Sequence, residues 1–229
     1  IEYSPVGTIV LIIPWNFPLV VLSERLPFIL AAGCSVIIKP SEFAAQGIID
    51  FINLINKQGL PKGTVNLITG KGANVGEDLV KSELTKMVSF TGSNEVGKRI
   101  YNNCANQFKK VNLELGGKNK FVIFEETNLK KVAKKLIENF TYNAGQNCVA
   151  ASDILIEKKI YKKFKKILIE EINMIKNLNG NLSNIKQFNK TKKILEKLKY
   201  SNIKPLNIIK NEKGNFFIHS RIFEDINYA

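Results

Sequence analysis

Apolar residues in this chain come in short runs separated by amphipathic stretches, and the two patterns alternate through the first two thirds. "VGTIVLII" (6–13) is β-rich, continuous in its apolar character, and ended by Pro14. Residues 19–33 carry helical spacing and end at Gly33, and "CSVIIKP" (34–40) follows as a short buried strand. "SEFAAQGIIDFINLINKQG" predicts a helix, with Ser41 suited to the N-cap and Gly59 to the stop. The alternation continues through a strand at 63–70, a short helix at 74–82, and a strand at 86–93 running into a helix from Asn94. Strands at 109–117 and 120–126, a helix at 128–143 and an extended segment at 148–157 complete it. Continuous apolar strands between helices predict a parallel sheet covered on both faces.

Beyond residue 157 the texture changes. Ile160, Phe164, Ile167, Leu168, Ile172 and Ile175 recur at helical spacing, with charged residues, mostly lysines, between them. "NLNGNLSNIKQFNK" is polar and reads as a loop before a helix at about 189–199. "GNFFIHSRIFEDINYA" has strand character without a closing element. Both ends read as cut from something longer.

Composition adds limits. With 229 residues, 45% of them hydrophobic, the chain can bury a core in one or two domains. The net charge of +14 raises the question of a nucleic-acid surface. Lysine and asparagine are abundant throughout, and no aromatic–basic interleaving of the RNA-binding kind accompanies the basic helix, so a solvated basic face is favoured and no nucleic-acid partner is expected. No apolar run is long enough for a bilayer and no signal peptide opens the chain, which points to the cytoplasm and no membrane partner. The three cysteines (34, 104, 148) form no CxxC pair, so neither a disulfide framework nor a metal site is expected. One histidine, His219, is present.

Several short motifs could carry chemistry. "GKGANVG" (70–76) is one residue too long for a dinucleotide fingerprint. "SFTGSNEVG" (89–97) ends a strand at Gly92 and Ser93 and opens a helix, whose free N–H groups suit an anion. Lys39 in "IIKPSE" lies at the carboxyl end of a strand, where it can donate to ribose or phosphate; Glu42 either accepts from a ribose or simply favours the helix start. In "LELGGKN" (113–119), Glu114 lies between leucines, so a desolvated carboxylate with raised proton affinity is expected, as a general base requires. Cys148 in "GQNC" is either a nucleophile or a buried small hydrophobe.

Together "PWNFP" (14–18), "KPSE" (39–42), "FTGS" (90–93), "LELGGKN" (113–119) and "GQNC" (145–148) stand in the order and spacing of the aldehyde dehydrogenase superfamily, which the chain resembles over nearly its whole length. The resemblance implies a Rossmann-like cofactor-binding domain (residues 1–117) followed by part of an α/β catalytic domain (118–229). It implies Cys148 as the nucleophile, Glu114 as the base that hydrolyses the thioester, and Asn16 in the oxyanion hole. Lys39 and Glu42 then hold the adenosine ribose, Gly92 and Ser93 lie near the pyrophosphate, and Trp15 packs beside the cofactor cleft. Glu42 favours NAD, while Lys39 tolerates NADP. Val21, Glu24 and Arg25 are expected near the aldehyde's entrance, and Asn147 and Val149 beside the nucleophile.

Members of the superfamily run to about twice this length, and their nicotinamide-ribose glutamate motif has no counterpart here. The parent protein is then expected to be a homo-oligomer acting on an aldehyde, and the 229 residues alone to turn over poorly. The alternative is a degenerate fragment that binds nucleotide or a partner chain without catalysis.

Overall fold

A computed structural model describes residues 2–175, 180–201, 203–207 and 215–224. Two compact units divide the chain, Ile1–Gly116 and Gly117–Ala229.

The first unit is a parallel five-stranded sheet in the order β3-β2-β1-β4-β5. Its strands are β1 (Ile9–Ile13), β2 (Val36–Pro40), β3 (Val65–Leu67), β4 (Met87–Gly92) and β5 (Lys110–Leu115). Helix α1 (Pro18–Ala31) connects β1 to β2, and α2 (Gln46–Asn56) connects β2 to β3. A single wide turn, Gly72–Gly76, leads into α3 (Glu77–Lys81), and α4 (Asn94–Ala105) links β4 to β5. The strand order reverses between β2-β1 and β4, the Rossmann arrangement that opens a crevice at the carboxyl edge of the sheet.

Alternation along β1 explains the layers. Ile9, Leu11 and Ile13 join Val21, Leu22, Leu26 and Ile29 of α1 and Ile48 and Ile52 of α2 in one core cluster. Val10 faces the other way, into a cluster with Val80, Val88, Phe90, Ile100 and Cys104. Buried on both faces, β1 has no polar side, which is why it reads as a continuous apolar run.

Two expectations are corrected here. Ser41 caps no helix: α2 starts later, at Gln46, with Ala45 at its N-cap, and the Ser41 hydroxyl accepts from the Phe43 N–H in a turn. Val21, expected near a substrate entrance, is buried in the core, because its place on α1 faces the sheet.

Glu77 ties α3 to α4. It meets Lys81 at 3.2 Å and Arg99 at 3.4 Å, and accepts from Asn103. The Lys81 contact foremost holds its carboxyl below the ordinary value of 4.5. A carboxyl lowered in the folded state stabilises above its unfolded value and loses that contribution as pH falls through the folded one. Glu77→Gln should therefore lower the urea midpoint at neutral pH, with the gap to the parent closing as pH drops below about 4.5; a gap constant from pH 7 to 3 would refute it.

The second unit holds β6 (Asn119–Ile123) and β7 (Ala151–Ile156), paired in parallel, with α5 (Leu129–Thr141) as their crossover. Helix α6 (Tyr161–Met174) packs beside α5, and Ile123, Leu136, Ile137, Phe164, Leu168 and Ile172 form the core between helices and strands. The apolar stripe expected on α6 faces this core. Helix α7 (Ile185–Tyr200) begins earlier than its periodicity suggests, because Asn184 caps it by accepting from the Gln187 N–H at 3.1 Å. Of the strand expected near the end, the described residues show one antiparallel bridge, Asn181 to Phe217; residues 208–214 and 225–229 lie outside them. Among the described residues, no helix is long and apolar enough to cross a membrane.

Candidate active site

The carboxyl edge of the five-stranded sheet gathers the first unit's motif residues. Parallel register places Ile13 beside Pro40, Ile12 beside Phe90, and Thr91 beside Glu114. The segment leaving β1 carries Trp15 and Asn16, both partly buried, just before α1 begins at Pro18. Pro14 and Pro18 lock the backbone dihedral on either side, which explains a sharp turn at this point.

Lys39 ends β2 and is only 2% exposed. Its ammonium donates to the Pro40 carbonyl at 3.0 Å and lies 3.7 Å from Glu42. Burial lowers its pKa from the ordinary lysine value, partly offset by Glu42. Gly72 and Gly76 flank it: a Cβ at Gly76 would stand 3.8 Å from the lysine's Cδ, and one at Gly72 4.0 Å from Nζ. The glycine-rich turn that matched no fingerprint by spacing thus walls the lysine. Beside the Pro40 carbonyl and the Glu42 carboxylate, the ammonium keeps donor capacity for a further acceptor such as a hydroxyl.

Gly92 closes β4, and Ser93 caps α4, its hydroxyl accepting from the Val96 N–H at 3.4 Å. Gly97 lets α4 sit tightly on β5, since a Cβ there would come within 2.5 Å of Leu115. The helix start is thereby fixed against the strand that carries Glu114.

Glu114 departs from expectation. It is 59% exposed rather than desolvated, and its partner is Arg25 of α1, with Nη2 at 3.4 Å from Oε1. The period of two explains this: Leu113 and Leu115 pack on the α4 side, so Glu114 projects to the opposite face. The leucine flanks suggested burial only because an edge strand cannot be told from a central one by sequence. Glu24, next to Arg25, is exposed, and the arginine turns away from it to Glu114.

Cys148, in the second unit, is exposed, whereas Cys34 and Cys104 are buried. The approach to it is conformationally strained. Asn143, Ala144 and Gly145 all take positive φ (51°, 56° and 75°), a left-handed turn that costs an alanine about 1–2 kcal/mol. Strain of this kind persists only when the surroundings hold it in place. Here the Gln146 amide does so, donating to the Asn143 carbonyl at 3.0 Å and accepting from the Ser183 N–H at 2.8 Å.

Two asparagines that sequence reasoning missed clamp the segment after the cysteine. Asn119, the first residue of β6, donates to the carbonyls of Cys148 (2.6 Å) and Ala150 (3.0 Å). Asn139 of α5 accepts from the Ala151 N–H at 2.7 Å. The final "N" of "LELGGKN" was the available signal. His219 is buried, its Nδ1 3.1 Å from the Ser220 carbonyl. Among the described residues, no group of three or more His, Cys, Asp or Glu is placed to hold a metal.

A parallel Rossmann-type sheet with a crevice at its carboxyl edge is the architecture of a nucleotide-binding domain. The profile described as "Aldehyde dehydrogenase family" matches residues 1–228, and the chain belongs to that family. Human cytosolic 10-formyltetrahydrofolate dehydrogenase is 40% identical over 174 residues, covering 76% of this chain and 19% of the human protein. The structure of betaine aldehyde dehydrogenase from Staphylococcus aureus in complex with NAD+ superposes with a TM-score of 0.90 at 31% identity, covering 97% of this chain and 47% of that one. An NAD+ complex of aldehyde dehydrogenase from Bacillus cereus gives 0.90 at 32%, covering 99% and 48%. The chain therefore spans less than half the length of each of these three proteins.

Proposed function

We propose that this chain carries the machinery for oxidising an aldehyde to a carboxylic acid with NAD, through a covalent intermediate on Cys148. The observation that carries the residue assignment is that Cys148 alone of the three cysteines is exposed, on a segment held by Asn119 and Asn139.

The Cys148 thiolate attacks the aldehyde carbonyl, giving a thiohemiacetal. The Asn16 amide and the Cys148 backbone N–H receive the negative oxygen; preorganised donors of this kind are worth about 3–4 kcal/mol of barrier. Bound NAD supplies the hydride acceptor, and the acyl group is left as a thioester. Glu114 takes a proton from water, the hydroxide displaces the sulfur, and the acid departs. Its presence favours hydrolysis over transfer of the acyl group to another thiol.

The residues suited to hold NAD are Lys39 and Glu42 at the ribose, Gly92 and Ser93 near the pyrophosphate, and Trp15 beside the cleft. Buried Lys39 in its glycine-walled cradle supports this, and the Glu42 carboxylate opposes a 2′-phosphate, favouring NAD over NADP. Residues 1–117 are the cofactor-binding domain on this reading and 118–229 part of the catalytic one, close to the division into two compact units after Gly116. An aldehyde is the small-molecule partner.

The test is alkylation of the chain by iodoacetamide with and without NAD, read by peptide mass spectrometry, beside NADH absorbance with a panel of aldehydes. Modification concentrated on Cys148 and altered by NAD is expected. Equal modification of the three cysteines, indifferent to NAD, would refute the assignment.

A further inference from the structure

The backbone around Cys148 is almost fully committed to hydrogen bonds. Asn119 donates to the carbonyls of Cys148 and Ala150. Asn139 donates to the Val149 carbonyl at 3.4 Å and accepts from the Ala151 N–H. Asn147 takes the two N–H groups in between: its side-chain oxygen accepts from Val149 at 3.1 Å and its backbone carbonyl from Ala150 at 3.2 Å. Every carbonyl and N–H from the Cys148 carbonyl to the Ala151 N–H is thus bonded within the chain. The Cys148 N–H is the exception, making no hydrogen bond among the described residues. Backbone donors are obligatory bonding groups, so this one, beside an exposed thiol, is open to an incoming acceptor. Asn147 also sets its direction. The Asn147 carbonyl and the Cys148 N–H share one planar trans peptide and point opposite ways, so turning the carbonyl to Ala150 aims the N–H away from the chain.

We propose that Asn147 is a positioning residue for the Cys148 N–H: by tying up the Val149 and Ala150 donors it fixes the turn and leaves the cysteine's own donor to the carbonyl oxygen under attack. The proposal rests on the function proposed above, in which that N–H receives the oxygen. In the step concerned, a bond forms between the Cys148 sulfur and the carbonyl carbon, the carbonyl π pair moves onto oxygen, and the N–H donates to the anion so formed. Asn147 exchanges no proton and touches no reacting atom. An asparagine suits the task because its side-chain oxygen reaches the N–H two residues on.

The full chain is compared with Asn147→Ala, which loses the side-chain acceptor, and Asn147→Ser, whose hydroxyl reaches the same N–H more weakly. Each is treated with two reagents at one pH. p-Nitrophenyl acetate acylates a thiolate without NAD and passes through an oxyanion; its burst rate is read from p-nitrophenol absorbance. Iodoacetamide alkylates the same thiolate by displacing iodide from a saturated carbon, with no oxyanion; its rate at Cys148 is read by peptide mass spectrometry. The ratio of acylation to alkylation rates cancels changes in the ionisation or exposure of the thiol, which a merely structural role would cause. That ratio should fall about threefold to tenfold in Asn147→Ala, the shift one net hydrogen bond commands, and recover in part in Asn147→Ser. A ratio unchanged in Asn147→Ala, or lowered equally by alanine and serine, overturns the proposal and leaves the function standing. A parent chain that gives no burst overturns the function itself, and the positioning role with it.

Discussion

Cys148→Ser should abolish the burst of p-nitrophenol that p-nitrophenyl acetate gives on acylating a thiolate, and with it whatever aldehyde-dependent NADH formation the chain supports. A thiol ionises near 8.5, so part of it is thiolate at neutral pH, while a serine hydroxyl needs a neighbouring base to become a nucleophile. The one histidine, in the same unit as Cys148, is buried with its Nδ1 3.1 Å from the Ser220 carbonyl. The other cysteines provide the control. Cys34 and Cys104 are 4% and 0% exposed, and burial pushes the Cys104 thiol above its ordinary value, only partly opposed by Lys109. Both are shielded from reagents, so Cys34→Ser should leave the burst unchanged. Retention of a full burst in Cys148→Ser would remove the covalent mechanism.

The largest stability effect should come from Phe164. It is fully buried in the core of the second unit, packed among Leu136, Leu168 and Ile172. Phe164→Ala removes a ring from a site that α5, α6 and the two strands enclose, and should cost about 3–5 kcal/mol. Urea denaturation followed by circular dichroism measures it. A loss under about 1 kcal/mol would mean that the helices collapse onto the vacancy. Because the same core carries β6 and α5, whose Asn119 and Asn139 hold the cysteine segment, the variant should also blunt the selectivity of Cys148 alkylation.

The two effects rest on different kinds of information. Phe164 belongs to an apolar stripe legible from spacing alone, and the helix faces the core as that spacing requires. Cys148 was singled out only through five motifs in a particular order, and its exposure, of which an isolated cysteine gives no sign, came from the structure. The alternation of continuous apolar strands and helices was equally legible, because a strand buried on both faces has no polar positions to interrupt it. What misled was Glu114. Leucines on both sides suggest burial, yet a strand at the end of a sheet turns alternate residues outward, and strand order is not written in any local pattern.

The Ser41 misassignment has a similar origin. Serine caps a helix or closes a turn equally well, and the backbone of 42–45 decided for the turn. Local chemistry, then, determined by itself the class of fold, most of the helices and strands, and the family. Tertiary structure decided which carboxylate meets which arginine, which cysteine sees solvent, and that a glycine-rich turn walls Lys39. Those outcomes depend on contacts between residues tens of positions apart, set by strand order and helix packing, and no window of sequence contains both partners.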